Sequence, residues 1–319
     1  MNKRDNQTMK AIRYHSFGGP EVLRCEEVPR PAAGPGQVLV RVHASGLNPG
    51  DWQIRSGLAR ERFPESMLPY IPGWDVSGVV DSVGPGVTGF QAGDAVYGMT
   101  DNSGACAEYV AVPASRLAPK PASISHVQAA GLPQSAVTAW HVLYELAGLA
   151  PGQRVLIHGA AGGVGHLAVQ LAKLRGAYVI GVASGRHAEF LSGLGADLLI
   201  DYTTTPVERA IRDADLILDT VGGAHADRLL DALKPGGELI PITWGHYSPE
   251  HAAKAGVTVR DIPFTEVNTE NLTAIAELID SGHLRIAIDT VFPLREARRA
   301  HELSESRRVR GKIVLQVAE

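Results

Sequence analysis

Two patterns of hydrophobic and polar positions divide the chain. From Met9 to about Lys120 the apolar residues come in short runs cut by glycine and proline (KAIRYH, VLVRVHA, SGVVDSVG, DAVYGM, AEYVAVP), and this texture predicts a strand-rich, loop-rich domain. After about Pro121 the text alternates between helical segments and continuous β-branched runs. RVLIHGA is followed by VGHLAVQLAKLRG, YVIGVA, HAEFLSGLG, DLLIDY, DLILDTVGG, HADRLLDALKPGG and ELIPITW. Apolar strands separated by amphipathic helices predict a parallel sheet buried on both faces, the doubly wound α/β arrangement.

The stretch from Asp289 to Glu319 returns to strand text (TVFPL, GKIVLQV) after one further helical segment, LTAIAELIDSG. GKIVLQV matches the first domain in texture, so it is expected to fold back and complete that domain. The predicted division is a loose polar tail over 1–8, a discontinuous domain over 9–125 and 289–319, and a second domain over 126–288. A length of 319 residues fits two such domains. VTVRD, Val257 to Asp261, is the expected edge strand of the parallel sheet. Pairing with its copy across a two-fold axis would satisfy that edge, and a homodimer is expected.

Composition narrows the function classes. The formal net charge of −4 offers no basic footprint for nucleic acid or an anionic membrane. The longest apolar runs fall far short of a membrane span and no signal peptide opens the chain, so a cytoplasmic location is expected. Two cysteines, Cys25 and Cys106, are too few for a disulfide framework and share no metal-ligand spacing; both are expected to be buried free thiols. The 12 histidines are scattered, and no metal site can be built from spacing.

The sharpest chemical signal runs from Val155 to Gly165 (VLIHGAAGGVG), a buried strand entering a glycine turn and then a helix, with another strand about 15 residues on. Missing side chains at Gly162 and Gly163 let a pyrophosphate approach the backbone at the positive end of the helix, with Ala161 and Val164 beside it. Gly165 lets helix and strand pack closely. The alternative is a turn that only packs helix on sheet. A site for NADH would carry an acid at the end of the second strand. Here that strand ends in Ala183-Ser184-Gly185-Arg186. A hydroxyl and a guanidinium suit a 2′-phosphate, so NADPH is the expected coenzyme. Tyr202 either closes the adenine end of that pocket or caps the sheet edge.

These residues, with Leu194-Gly195-Ala196-Asp197, resemble the quinone oxidoreductase (zeta-crystallin-like) branch of the medium-chain dehydrogenase/reductases. So do FGGPEVL from Phe17, GLNPGD from Gly46, IRSG from Ile54, IPGWD from Ile71, Gly93-Asp94 and GKIVL from Gly311. The resemblance spans nearly the whole chain from Met9. It implies a GroES-like substrate domain, a Rossmann coenzyme domain inserted before the C-terminal strands, and NADPH held in a cleft between them. In zinc-dependent relatives a cysteine stands at Asn48 and a His-Glu pair at Trp74-Asp75, so the resemblance implies a zinc-free reductase.

Without zinc, reducing an isolated ketone lacks a strong electrophile, whereas a quinone or enone spreads the developing charge onto a remote oxygen. Hydride transfer to a small-molecule conjugated carbonyl is therefore the expected activity. Reduction of an alkenal, enone or enoyl-thioester double bond is the alternative, and a non-catalytic NADPH-binding sensor is a reading of another class. By resemblance Asn48 and Pro49 lie beside the nicotinamide, with the Asn48 amide donating to substrate or orienting the carboxamide; otherwise Asn48 is a turn residue bonded to its own backbone. Asp51 is expected to be structural and to pair with Arg55. Thr138 resembles a family threonine near the nicotinamide ribose or phosphate, and is otherwise a helix hydroxyl bonded to the preceding turn. Val221, Gly222, Ile242 and Trp244 follow carboxyl ends of strands and are expected to bracket the nicotinamide. Trp52, Tyr70 and Trp244 are candidate walls for a flat acceptor, with core packing the alternative for Trp52, and Trp74 is expected to fill volume. The loops Ser56 to Leu68 and Asp261 to Asn271 are expected to line the pocket.

Overall fold

A computed structural model describes residues 8–224, 226–262 and 268–318. Most of the expected tail, and the middle of the loop from Asp261 to Asn271, lie outside these. The strands are numbered in chain order. In the first part of the chain they are β1 (Thr8–Arg13), β2 (Arg24–Pro29), β3 (Gln37–Leu47), β4 (Asp75–Val83), β5 (Ala95–Met99), β6 (Tyr109–Pro113) and β7 (Leu117–Pro119). Then come β8 (Arg154–His158), β9 (Tyr178–Ala183), β10 (Leu198–Asp201), β11 (Ala214–Asp219), β12 (Leu233–Pro241) and β13 (Thr258–Val259). The last two are β14 (Ile288–Pro293) and β15 (Lys312–Gln316).

One compact unit falls within Met1–Gln134, Val267–Gly282 and Ile286–Glu319. Its main sheet runs β14-β15-β3-β4-β5-β7, with β6 also on β3, and β1 and β2 form a separate antiparallel pair. Long β3 explains the layout: along one edge it pairs first with β6, over Gln37–Arg41, and then with β15, over Ala44–Leu47. Alternating β-branched residues line the core: Val38, Val40 and Val42 meet Val76, Val80, Val96, Val110 and Val112, all buried. The GKIVLQV segment thus lies in the first unit's sheet. The helix Thr269–Asp280, which the predicted division assigned to the second domain, belongs here too; Tyr97 donates from its hydroxyl to the Leu272 carbonyl, and Asp280 accepts from Ala122 and Ser123.

The other unit covers Ser135–Glu266 and His283–Arg285. Its six strands are all parallel, in the order β10-β9-β8-β11-β12-β13, which is 3-2-1-4-5-6 within the unit, the strand order of dinucleotide-binding sheets. The buried runs Leu156, Ile180, Val182, Ile217 and Leu239 pack together at its centre. Architecture and class are therefore a GroES-like β domain plus a Rossmann-type α/β domain.

Several local expectations need correction. The edge strand is confined to Thr258–Val259 within the expected Val257 to Asp261. Ala226–Ala232 winds as a tight 3₁₀ turn, and its strand begins already at Leu233, through Pro235 and two glycines. The helix Ala297–Glu305 was not foreseen: its buried face is only Ala297, Ala300 and His301. Cys106 is buried, but Cys25 is exposed because it sits on the outer face of the β1–β2 pair. Among the described residues no helix is long and apolar enough to cross a membrane.

Candidate active site

In the parallel-sheet unit the order reverses between β8 and β11, so their carboxyl ends open onto a crevice of the kind that holds ligands. β8 leaves the sheet at His158 and the chain turns through Gly159 to Gly163 into the helix Gly165–Leu174, which starts behind Val164. A Cβ on Gly165 would stand 2.3 Å from the Gly159 carbonyl oxygen and 2.7 Å from the Ala160 Cα, both backbone atoms that cannot swing aside. Only glycine lets this helix start so near its strand. Residues 161–164 thereby lie at the head of a ten-residue helix, the positive end of its dipole.

A side-chain network missed in the sequence organises the other wall. Asp219, fully buried at the end of β11, accepts from the Val221 amide (2.9 Å) and the Gly222 amide (3.0 Å), and from the Tyr247 hydroxyl (2.6 Å). His158 at the end of β8 is its fourth partner, at 2.8 Å. Burial alone would push the Asp219 carboxyl up; His158, Tyr247 and the Gly222 amide instead hold it below its ordinary value. The loop it anchors is tight: Gly222 has φ +63°, and a Cβ there would meet the Trp244 carbonyl oxygen at 2.2 Å. Gly223 donates to that same carbonyl, and the Ile242 amide donates to the Asp219 carbonyl. Val221, Gly222, Ile242 and Trp244 are thus brought together, and Val221 and the 63 % exposed Trp244 offer apolar surface there.

At the far end, β9 stops at Ala183 as predicted and Ser184 starts a short turn through Gly185 and Arg186. The Tyr202 amide donates to the Ala183 carbonyl, which places the exposed Tyr202 beside that turn. Thr138 is half-buried on the helix Pro133–Trp140.

The first unit holds a different constellation. Asn48 precedes the helix Pro49–Ser56, and the Asp51 carboxylate accepts from its amide (2.8 Å) and from the Gly73 amide (2.9 Å). The expected Asp51–Arg55 pair does not form. Asp51 faces inward onto backbone amides, whereas Arg55, one turn on, reaches Glu305 of the unforeseen helix. The Asn48 side chain is buried and engaged at both ends: Nδ2 donates to Asp75 Oδ2 (3.0 Å) and Oδ1 accepts from the Lys312 ammonium. Lys312 Nζ also lies 3.6 Å from Asp75 Oδ2, and Asp75 Oδ1 accepts from the Gln134 amide (2.9 Å). Burial pushes Asp75 up and Lys312 down, each toward its neutral form, while their mutual attraction and the Asn48 bonds oppose this. Asn48 is accordingly more than a turn residue bonded to its own backbone.

Tyr70, an expected wall, is packed at 7 % exposure with Tyr14, Ile54 and Phe63, because β1 and the loop carrying Tyr70 bridge at Tyr14. Trp74 joins the edge of that cluster, filling volume as anticipated, with its ring 6.2 Å from Phe63. Trp52 is half-buried, with the Arg307 guanidinium 6.0 Å above its ring.

The residues fit a nicotinamide dinucleotide: a glycine turn heads a helix where the strand order reverses, and Val221 and Trp244 offer apolar surface beside it. They do not fit a catalytic zinc, since the Asn48 and Asp75 donors are already taken by each other and by an ammonium. Among the described residues no group of three His, Cys, Asp or Glu side chains is placed to hold a metal ion.

The chain matches the family of alcohol dehydrogenase GroES-like domains over residues 34–122 and that of zinc-binding dehydrogenases over 194–315. It is 33 % identical to the chloroplast envelope quinone oxidoreductase homolog of Arabidopsis thaliana, over 97 % of this chain and 98 % of that one. It is 34 % identical to the NADPH-dependent alkenal/one oxidoreductase of the same plant, over 96 % and 79 %. The quinone oxidoreductase of Escherichia coli, solved with NADPH, superposes with a TM-score of 0.89 at 30 % identity, covering 97 % of this chain and all of that one. The chain therefore belongs to the medium-chain dehydrogenase/reductase superfamily, in its quinone oxidoreductase branch, and is an NAD(P)H-dependent reductase of that kind.

Proposed function

We propose that this reductase transfers hydride from NADPH to a quinone. The observation that carries the reading is the Asn48–Asp75–Lys312 cluster, buried and hydrogen-bonded within itself, with Asn48 and Asp75 at the positions that resemble the zinc site of other relatives. With no Lewis acid held there, the acceptor must stabilise its own developing negative charge, as a conjugated dicarbonyl does. The coenzyme supplies the hydride. Residues 161–164 would hold its pyrophosphate, Ser184 and Arg186 its 2′-phosphate with Tyr202 nearby, and Asn48, Pro49, Thr138, Val221, Gly222, Ile242 and Trp244 its nicotinamide half. The second Asn48 Nδ2 hydrogen is the donor we assign to the substrate oxygen or the carboxamide, and exposed Trp244 is the wall we assign to a flat acceptor.

A second reading, reduction of the carbon–carbon double bond of an alkenal or enone, is favoured by the likeness to the alkenal/one oxidoreductase. Both need one hydride from the same coenzyme. NADPH oxidation by chelator-treated protein, offered 1,4-benzoquinone, 9,10-phenanthrenequinone, a 2-alkenal and a crotonyl thioester, tests them. Quinone turnover that survives chelation supports the first reading; alkenal or thioester turnover alone replaces it with the second. The assembly we propose is a homodimer paired along β13, an outer strand of its sheet. A monomeric mass by light scattering at micromolar concentration would overturn it.

A further inference from the structure

An open sheet of this order takes the adenosine ribose at the carboxyl end of its second strand, here β9, where Ala183, Ser184, Gly185 and Arg186 stand. That segment contains no acid, and its neighbour supplies one. β10 ends at Asp201, in register with Ala183. A Cβ built on Gly185 would lie 2.4 Å from Asp201 Oδ2, so the carboxylate rests against the backbone of the ribose turn itself. Its other oxygen is fixed by the Thr203 amide (2.9 Å) and hydroxyl (2.6 Å). Those bonds, with the Gly185 amide, hold the group below its ordinary value, and it is a full anion at neutral pH. The Arg186 guanidinium is turned toward His187, where its Nε meets Nε2 at 3.1 Å.

We propose that Asp201 is a second determinant of coenzyme choice, opposed to Arg186: it accepts a ribose hydroxyl of NADH and repels the 2′-phosphate of NADPH. The site then takes both coenzymes with a narrow preference, where the β9 segment alone predicts a wide one. This rests on reading Ala183 to Arg186 as the ribose pocket. Because Asp201 is only half-buried and acts partly through water, its effect is several-fold and fades as salt rises.

The test is titration of the wild type, Asp201→Asn and Arg186→Ala with NADPH and with NADH, following nucleotide fluorescence at low and high ionic strength. Asp201→Asn keeps an oxygen for the Thr203 amide, removes the charge and gives up the acceptor facing the Gly185 amide, and an unchanged thermal midpoint verifies the fold. The ratio of the NADH to the NADPH dissociation constant should rise about fivefold or more in Asp201→Asn at low salt, and by less at high salt. Arg186→Ala should lower it. A ratio that stays put in Asp201→Asn while it falls in Arg186→Ala overturns the inference and leaves the pocket reading standing. A ratio unmoved by both substitutions sinks the pocket reading itself.

Discussion

The imidazole of His158 and the carboxylate of Asp219 meet at 2.8 Å across the carboxyl ends of β8 and β11, the two strands between which the sheet changes direction. One buried anion thus ties the glycine turn, the Val221–Gly222 loop and the segment carrying Tyr247 into a single wall. Asp219→Ala removes the acceptor for two loop amides. Each is worth about 1–3 kcal/mol when buried and unmet, so NADPH binding should weaken about tenfold or more. Calorimetric titration measures this; unaltered affinity would mean that the loop holds its shape without Asp219.

Gly165→Ala is a one-carbon change with a large expected effect, because the new methyl points into the Gly159 carbonyl and the Ala160 backbone. The helix must retreat from β8, at a cost of about 1–3 kcal/mol. Thermal unfolding should show a lowered midpoint, and coenzyme affinity should fall with it. The same substitution at Gly193, where nothing stands within 4 Å of the added Cβ, is the control and should leave both unchanged.

Lys312→Met strands the Asp75 carboxylate in the core of the first unit. Breaking a buried pair from one side costs about 3–5 kcal/mol, while replacing both charges is far milder. Denaturant unfolding of Lys312→Met, Asp75→Asn and the double variant should therefore be strongly non-additive, with the double variant more stable than Lys312→Met. Additive losses would show that the two groups do not act as an ion pair.

Acid stability depends on three groups, the buried Asp51 and His301 and the half-buried His126. Burial, aided by the stacked His43, lowers His126 from 6.5 to about 4, and burial lowers His301 to about 3. Both histidines stabilise the fold fully above pH 6.5, and that contribution is lost as pH falls through their folded values. Asp51 has the opposite sign: burial raises it from 3.8 to about 6, so its contribution is present below 3.8 and lost as pH rises through 6. On these three groups alone the unfolded chain binds about one proton more between pH 6 and 4, which lowers stability by about 1.4 kcal/mol for each unit the pH falls. Asp51→Asn should steepen that slope and His301→Asn should flatten it, as read from urea midpoints at each pH.

The legible parts of the molecule were those whose chemistry is written in consecutive residues. Strands β8, β9 and β11 show because a sheet covered on both faces demands uninterrupted Val, Ile and Leu, and the glycine turn shows because a helix head that close to its strand tolerates nothing larger. Asp219, Asp201 and Lys312 escaped because their meaning lies in distant partners: His158 is 61 positions from Asp219, and Asn48 is 264 from Lys312. The helix Ala297–Glu305 hid for another reason. It buries two alanines and a histidine, which leaves no apolar period to read. Arg55 looked like a partner for Asp51 at one helical turn, yet it found Glu305, 250 residues away, on that unseen helix.

The pairing of β15 with β3 has a consequence for how the molecule is made. During translation β3 leaves the ribosome with β4, β5 and β6 close behind, but the partner for Ala44 to Leu47 comes only after the whole parallel-sheet unit has been made. The parallel-sheet unit, almost contiguous in sequence, can settle as it emerges, while the first unit waits with one stretch of β3 edge unmatched. A nascent chain halted before Lys312 would present that bare edge to solvent and to its neighbours, so chaperone capture and aggregation should concentrate at this stage of synthesis.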